Sequence, residues 1–284
     1  MTLLVFGKTG QVAQALQSQA DVIALDRQAA DLADPAACAR AIRDHAPHAV
    51  INAAGWTAVD AAEDNETAAT VINAEAPGAM ARACADLDIP FIQISTDYVF
   101  DGTGTAPFRP DSPVAPLGAY GRSKQRGEHA VAQAGGPFAI LRTSWVFSAH
   151  GTNFVKTMLR LGARHDRLSV VADQIGGPTP AADIAACCLT LAETLRHRPA
   201  LSGIYHLSGA PDVSWAGFAQ EIFAQSGLDC AVDPIPGADY PQKAQRPANS
   251  RLDCKSLEQV FDISRPDWRT RLASVLADLK GSFP

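Results

Sequence analysis

The stretch Leu3-Leu4-Val5-Phe6-Gly7-Lys8-Thr9-Gly10-Gln11-Val12-Ala13 decides the architecture. Four apolar residues read as a buried strand, Gly7 and Gly10 make a turn, and Val12 and Leu16 then recur at helical spacing. The resulting G-x-x-G-x-x-A puts small residues where backbone must approach a pyrophosphate. The helix that follows offers N–H groups that have no partner within the helix. An ordinary tight turn between strand and helix would carry the same glycines, so position after the first strand is what favours a dinucleotide. A phosphate loop of the form G-x-x-x-x-G-K-T is disfavoured, because its first glycine would fall on Thr2.

Beyond this turn, short apolar runs alternate with helical stretches. Leu3 to Phe6, Val22 to Leu25, Ala49 to Ile51, Phe91 to Ile94 and Ala139 to Leu141 read as buried strands, and Ile204 to Leu207 reads as one that could rejoin the sheet. Alternation of this kind builds βαβ units, so the expectation is an α/β fold with a Rossmann-type, doubly wound parallel sheet. Asp34 as N-cap, Pro35 at the first helical position and Pro47 as the stop delimit one helix. Thr179 and Pro180 predict the same start for another, and Gly162 is expected to close a helix running from Phe154. Asp101 to Leu117 is rich in Gly and Pro and shows no element pattern. The alternation weakens after about Val146. This predicts a dinucleotide-binding part of residues 1–146 plus about 180–208, and a smaller α/β substrate part of about 147–179 plus 209–284.

Composition narrows the function. The 284 residues are 47% hydrophobic and 19% charged, which describes a folded chain and not a disordered one. A formal charge of -6 argues against a nucleic-acid partner. No apolar run approaches the roughly 20 residues that span a bilayer, the N-terminus has no basic leader, and six scattered cysteines show no zinc spacing. The expectation is a cytoplasmic protein with reduced thiols, no membrane contact and no metal.

Candidate chemistry lies at the ends of the strands. Asp26 follows the second strand about 20 residues beyond the first glycine, where a carboxylate receives ribose hydroxyls, while Arg27 beside it would suit a 2′-phosphate. That pairing leaves NADH and NADPH both open. Asn52, Ala53 and Ala54 end the third strand with small residues that let a ligand lie over the sheet edge. Tyr120 and Lys124, four apart, share one helical face, and a phenol beside an ammonium suits protonation of an alkoxide formed by hydride transfer. Thr96 after the fourth strand offers a hydroxyl to the same carbonyl; a capping hydroxyl is its structural alternative. Asp60, Glu63 and Asp64 read as a solvated acidic face, and His45 and His48 as a surface turn.

In this order the glycine turn, Asn-Ala-Ala-Gly, strand-end Thr and Tyr-x-x-x-Lys resemble the extended short-chain dehydrogenase/reductases. Longer strings resemble the dTDP-4-dehydrorhamnose reductase family within them: Gly-Lys-Thr-Gly-Gln-Val at 7–12, Asn-Ala-Ala-Gly-Trp-Thr-Ala-Val-Asp at 52–60, Ser-Thr-Asp-Tyr-Val-Phe at 95–100 and Arg-Thr-Ser-Trp-Val-Phe at 142–147. Asn-Phe-Val-Lys-Thr-Met at 153–158 and Arg-Pro-Ala-Asn-Ser-Arg-Leu at 246–252 carry the resemblance through nearly the whole chain.

The resemblance implies NADPH- or NADH-dependent reduction of the C4 ketone of dTDP-4-dehydro-L-rhamnose. Thr96, Tyr120 and Lys124 would be catalytic, with Lys124 also lowering the phenol's pKa. Gly7, Thr9, Gly10, Gln11, Val12, Asp26, Asp31 and Leu32 would line the cofactor. Tyr98, Trp145, Asn153 and Arg246 would meet the nucleotide sugar, Arg246 through a diphosphate oxygen. Two departures stand out: Ala13 replaces the third glycine of many members, and Ala15 removes an acidic residue that in some members helps hold a dimer-bridging magnesium. Ala15 thus argues against that bridge and leaves monomer and homodimer both open. Two other readings stay open on the sequence: a reductase of another nucleotide-linked 4-keto sugar, and a cofactor-binding regulatory subunit similar to the beta subunit of methionine adenosyltransferase.

Overall fold

A computed structural model describes residues 1–280. Its centre is a six-stranded, wholly parallel sheet of β1 (Leu3–Phe6), β2 (Val22–Leu25), β3 (Ala49–Asn52), β4 (Phe91–Thr96), β5 (Phe138–Thr143) and β6 (Gly203–His206). The spatial order is β6-β5-β4-β3-β1-β2. Chain direction across the sheet reverses between β1 and β3, and a crevice opens at the carboxyl ends of strands at such a switch point.

Alternation along each strand feeds two cores. Leu3, Val5, Ile51, Ile92 and Leu141 face the helices Gln11–Gln19 (α1) and Ala181–His197, which brings Ile184, Cys188, Leu191 and Leu195. Leu4, Phe6, Val50, Phe91 and Ile140 face the opposite way, against Ile42 of the helix Pro35–His45 and Met80 and Cys84 of the helix Ala76–Asp86. Both faces are covered, as a parallel sheet requires. The Pro35 helix starts as the sequence predicts, with Asp34 Oδ1 accepting from Ala37 N at 2.9 Å.

A third core lies beyond β5. The helices Phe154–Gly162, Trp215–Ser226 and Trp268–Asp278 bury Leu159, Phe218, Ile222, Trp268 and Leu272 over a parallel pair, Arg167–Val171 with Ala231–Ile235. Leu257, from the short helix Lys255–Phe261, packs instead into the sheet-side core. Among the described residues, no helix is long and apolar enough to cross a membrane.

Two local expectations need correction, and a third segment without helix or strand, as expected, is nonetheless held in place. Thr179 is not an N-cap: it pairs with Val146 in a two-residue strand, its N–H donates to Trp145 O at 3.1 Å, and the helix begins one residue after Pro180. The Thr179 hydroxyl donates to Gly177 O at 2.9 Å and accepts from Gly209 N at 3.3 Å, so tertiary partners hold it. Gly162 is the last helical residue and not a left-handed cap; a Cβ there would stand 2.6 Å from the Phe223 ring, so packing requires the glycine. The Asp101–Leu117 segment is pinned, since Phe108 stacks on Phe100 at 4.4 Å and exchanges backbone hydrogen bonds with Arg251 and Asp253.

Candidate active site

A cleft of about 730 Å³ runs along the carboxyl ends of β1, β2, β3 and β4, within the range of about 300–1,000 Å³ usual for small-molecule sites. At its base the glycine turn fits a dinucleotide. Gly7 has φ +105, and a Cβ there would press on the Ala53 backbone at 3.3 Å, so only glycine lets the two strand ends approach. Gly10 is the N-cap of α1 and provides no side chain to its first N–H groups, which are left for a ligand's oxygens.

At one end, beyond β2, Asp26, Arg27, Asp31 and Leu32 line the cleft. Asp26 Oδ1 accepts from Ala29 N and Gln28 N, both at 3.0 Å, and Lys8 Nζ stands 3.6 Å from Oδ2. The backbone N–H of Ala29, then that of Gln28 and the Lys8 charge, hold this carboxyl below its usual range. Arg27 pairs with Asp31 at 3.1 Å.

At the other end, β4 and the helix Ala119–Ala132 bring Thr96, Tyr98, Tyr120 and Lys124 into the same cleft. Tyr98 and Tyr120 meet edge to face, ring centroids 5.5 Å apart. Thr96 Oγ1 accepts from Tyr98 N at 3.2 Å and donates to Asp97 Oδ1 at 3.1 Å, so the hydroxyl both caps the strand end and faces the cleft. Burial raises the Asp97 carboxyl to about 6 against the hydroxyls of Ser250 and Thr96, and its second oxygen has no hydrogen-bond partner.

Lys124 Nζ donates to Ile94 O at 2.6 Å; burial lowers the ammonium to about 8, and Glu128 one turn further along the helix opposes that fall. The expected lowering of the phenol by Lys124 does not occur. Burial pushes Tyr120 up to about 12, the Thr96 hydroxyl pulls the other way, and the Asp97 charge adds to the rise. The ammonium instead engages the strand carbonyl.

The helix bearing Tyr120 is fixed from outside. Its N-cap is Gly118, and the missing cap is supplied by Glu63 Oε1, which accepts from Ala119 N at 2.9 Å. Asn73 donates to Ser123 Oγ at 3.0 Å and to Trp56 O at 3.0 Å, joining that helix to the end of the β3 loop. The acidic cluster is therefore not a simple solvated face: Glu63 caps the helix, Asp60 pairs with Arg246 at 2.9 Å, and Asp64 pairs with Lys243.

Three of the site residues expected from sequence do not line the cleft. Asn52 is buried, donating to Gln93 Oε1 at 2.9 Å and accepting from Ala54 N, so it shapes the turn. Asn153 caps the helix Phe154–Gly162 and donates to Gln11 Oε1 at 2.9 Å. Arg246 is held by Asp60, with its Nη1 buried and unpartnered. Trp145 does line the cleft; it has φ +50 and stacks on Trp215 at 3.5 Å. His48 Nδ1 accepts from Thr2 N in a surface turn, as expected.

The chain matches the family model described as the RmlD substrate binding domain over residues 1–280. The dTDP-4-dehydrorhamnose reductase of Sinorhizobium fredii is 45% identical to it across 94% of both chains. That of Burkholderia thailandensis is 44% identical across 98% of this chain and 99% of its own. The chain belongs to the dTDP-4-dehydrorhamnose reductase family. Among solved structures of this family, one from Clostridium acetobutylicum superposes with a TM-score of 0.91 at 35% identity, covering 99% of this chain and all of that one. A Bacillus anthracis member in complex with NADP gives 0.91 at 32% identity, covering 98% and 99%.

Ala15 of the first helix is buried in the core that includes the sheet and carries no oxygen ligand. Sequence reasoning missed the roles of Asn73, Asp97 and Glu128, and it read Glu63 as part of a solvated face. Asn73 alone left a signal, since an asparagine within a helical stretch usually answers to a tertiary partner.

Proposed function

We propose that this chain reduces the C4 ketone of dTDP-4-dehydro-L-rhamnose to dTDP-L-rhamnose with NADPH or NADH, the last step in making that activated sugar. The observation that carries the reading is the convergence of Gly7 and Gly10 with Thr96, Tyr120 and Lys124 in one cleft. When bound, the reduced nicotinamide supplies the hydride.

Tyr120 donates the proton to the sugar oxygen at C4. Burial keeps the phenol protonated at neutral pH, so it arrives as an acid, and donation to an alkoxide runs downhill from a pKa near 12. Thr96 turns its hydroxyl from Asp97 to the same oxygen and polarises it. Lys124, with one N–H on Ile94 O, keeps two donors for ribose hydroxyls and brings positive charge toward the phenolate left behind. Tyr98 and Trp145 wall the sugar side of the cleft.

Within the same reading, residues 1–146 with about 180–208 hold the cofactor, and about 147–179 with 209–284 face the nucleotide sugar. The role of Asn153 is then indirect, through Gln11, and Arg246 reaches a diphosphate only by leaving Asp60. The six buried, unpaired cysteines support a reducing compartment such as the cytoplasm.

The test mixes purified protein with enzymatically generated dTDP-4-dehydro-L-rhamnose and either cofactor, following nicotinamide absorbance and identifying the sugar. Oxidation yielding dTDP-L-rhamnose is expected. Cofactor binding without oxidation would direct the assignment to another nucleotide-linked 4-keto sugar.

A further inference from the structure

We propose that Glu63 is a positioning residue for the proton donor: by taking the first backbone N–H of the helix that carries Tyr120, it sets where the phenol stands against the sugar oxygen. The inference rests on the reading of Tyr120 as the acid and adds the residue that aims it.

A helix beginning at Ala119 needs acceptors for its first N–H groups, and a serine, threonine, aspartate or asparagine at the N-cap ordinarily supplies one. The chain places Gly118 there, which has no side chain to offer. The acceptor comes instead from 56 residues earlier, where Glu63 Oε1 takes the N–H of Ala119 at 2.9 Å. The two solutions exclude each other. A Cβ on Gly118 would stand 2.5 Å from Glu63 Oε1 and 3.6 Å from its Cδ, and among the described residues no other side chain crowds that position.

A local cap and a remote one differ in what they fix. A hydroxyl at position 118 would stabilise the helix end wherever the helix lay, whereas Glu63 ties that end to a neighbouring element. Glu63 directly follows the short helix Val59–Ala62, in which Val59 lines the cleft and Asp60 accepts from Ala244 N at 3.0 Å and pairs with Arg246. Further along, Glu66 takes Arg122 with both oxygens, at 3.0 and 2.7 Å. Asn73 donates to Ser123 Oγ at 3.0 Å, which in turn donates to Tyr120 O at 2.7 Å. The first turns of the helix are thus referenced to another part of the cleft wall, and Glu63 engages the residue next to Tyr120. A reacting group displaced by about 1 Å loses on the order of 100-fold in rate, so an anchor one residue away acts on turnover.

The experiment measures kcat and KM for dTDP-4-dehydro-L-rhamnose at saturating NADPH, cofactor affinity by calorimetry, and melting temperature. The proteins are the wild type, Glu63→Ala, Glu63→Gln, Glu63→Asp, and Glu63→Ala combined with Gly118→Ser. Glu63 is only half-buried, so each is expected to fold. Glu63→Ala should lower kcat about tenfold or more, with KM and cofactor affinity within about twofold of the wild type. Glu63→Gln keeps an acceptor oxygen at the same reach without the charge and should recover most of that loss. Glu63→Asp keeps the charge, stops one methylene short, and should resemble Glu63→Ala. In the combined variant the introduced hydroxyl caps the helix from within, so the melting temperature should return while kcat stays low. A kcat that returns with the melting temperature would overturn the proposal in favour of capping alone, and an active Glu63→Asp beside an inactive Glu63→Gln would overturn it in favour of charge. Wild-type kcat in Glu63→Ala, or a fall in cofactor affinity as large as that in kcat, would overturn it as well. A wild type that does not reduce the sugar would overturn the reading of the reaction itself, which separates the two failures.

Discussion

Arg142 and Glu128 face each other beneath the carboxyl end of β4, Nη2 to Oε2 at 2.7 Å and Nε to Oε1 at 2.9 Å, with side chains only 3% and 6% exposed. Ser95, beside Thr96, donates to the same carboxylate at 2.5 Å, and the Arg142 guanidinium lies over the Phe100 ring at 5.0 Å. One ion pair thus ties β4, β5 and the Tyr120 helix together.

Removing one partner of such a pair leaves the other charge buried without compensation. Glu128→Gln is expected to cost about 3–5 kcal/mol of unfolding free energy, measured by urea denaturation. A companion variant with Glu128→Gln and Arg142→Met, which removes both charges, should recover a good part of the loss. If the single variant costs under about 1 kcal/mol, the pair is not holding the three elements.

Tyr120→Phe keeps the ring against Tyr98 and deletes only the donor. Turnover should drop by about 10²–10⁴-fold, with cofactor affinity nearly unchanged. Near wild-type kcat would remove Tyr120 from the role of acid.

The sheet could be read in the sequence because each strand is a short apolar run and the crossover from β2 to β3 carries a local signal, Asp34-Pro35. The glycine turn was equally legible, since its demand for small residues is local. Thr179 was misread because Thr-Pro at a helix start has two solutions, and its partners Trp145 and Gly209 lie about 30 residues away in either direction. Glu63 and Asp60 were read as solvated because their partners, Ala119 and Arg246, are remote in sequence. Asn153 and Arg246 carry the right strings, yet each side chain is engaged elsewhere, one as a helix cap and one in an ion pair. A motif identifies such a residue without saying which of its possible partners holds it.

His206 is fully buried beside Arg142, and burial first, then the guanidinium, depresses its imidazole to about 3. The unfolded chain titrates near 6.5. Below that pH the unfolded state binds a proton that the native state refuses, so the stability from His206 is fully present above 6.5 and drains away as pH falls toward 3. Asp97, raised to about 6, slopes the opposite way between about 4 and 6. The difference between wild type and His206→Phe isolates the imidazole. Across pH 4 to 6.5 the wild type should lose up to about 1.4 kcal/mol per pH unit relative to the variant. Parallel stability curves would show that His206 is protonated as easily in the fold as outside it.

Lys124 and Tyr120 predict the shape of the pH–rate profile. With the phenol at about 12 and the ammonium at about 8, the group that first loses its proton on the alkaline side is Lys124, not Tyr120. The deprotonated amine still donates to Ile94 O, so the fold survives, but the positive charge near the phenolate is gone. Reduction with saturating cofactor should therefore fall off with an apparent pKa of about 8. Lys124→Arg, whose guanidinium does not titrate in this range, should retain reduced activity with that alkaline limb abolished. A limb that persists near 8 in the arginine variant would assign it to another group, and Asp97, at about 6, would be ruled out by its position on the pH axis.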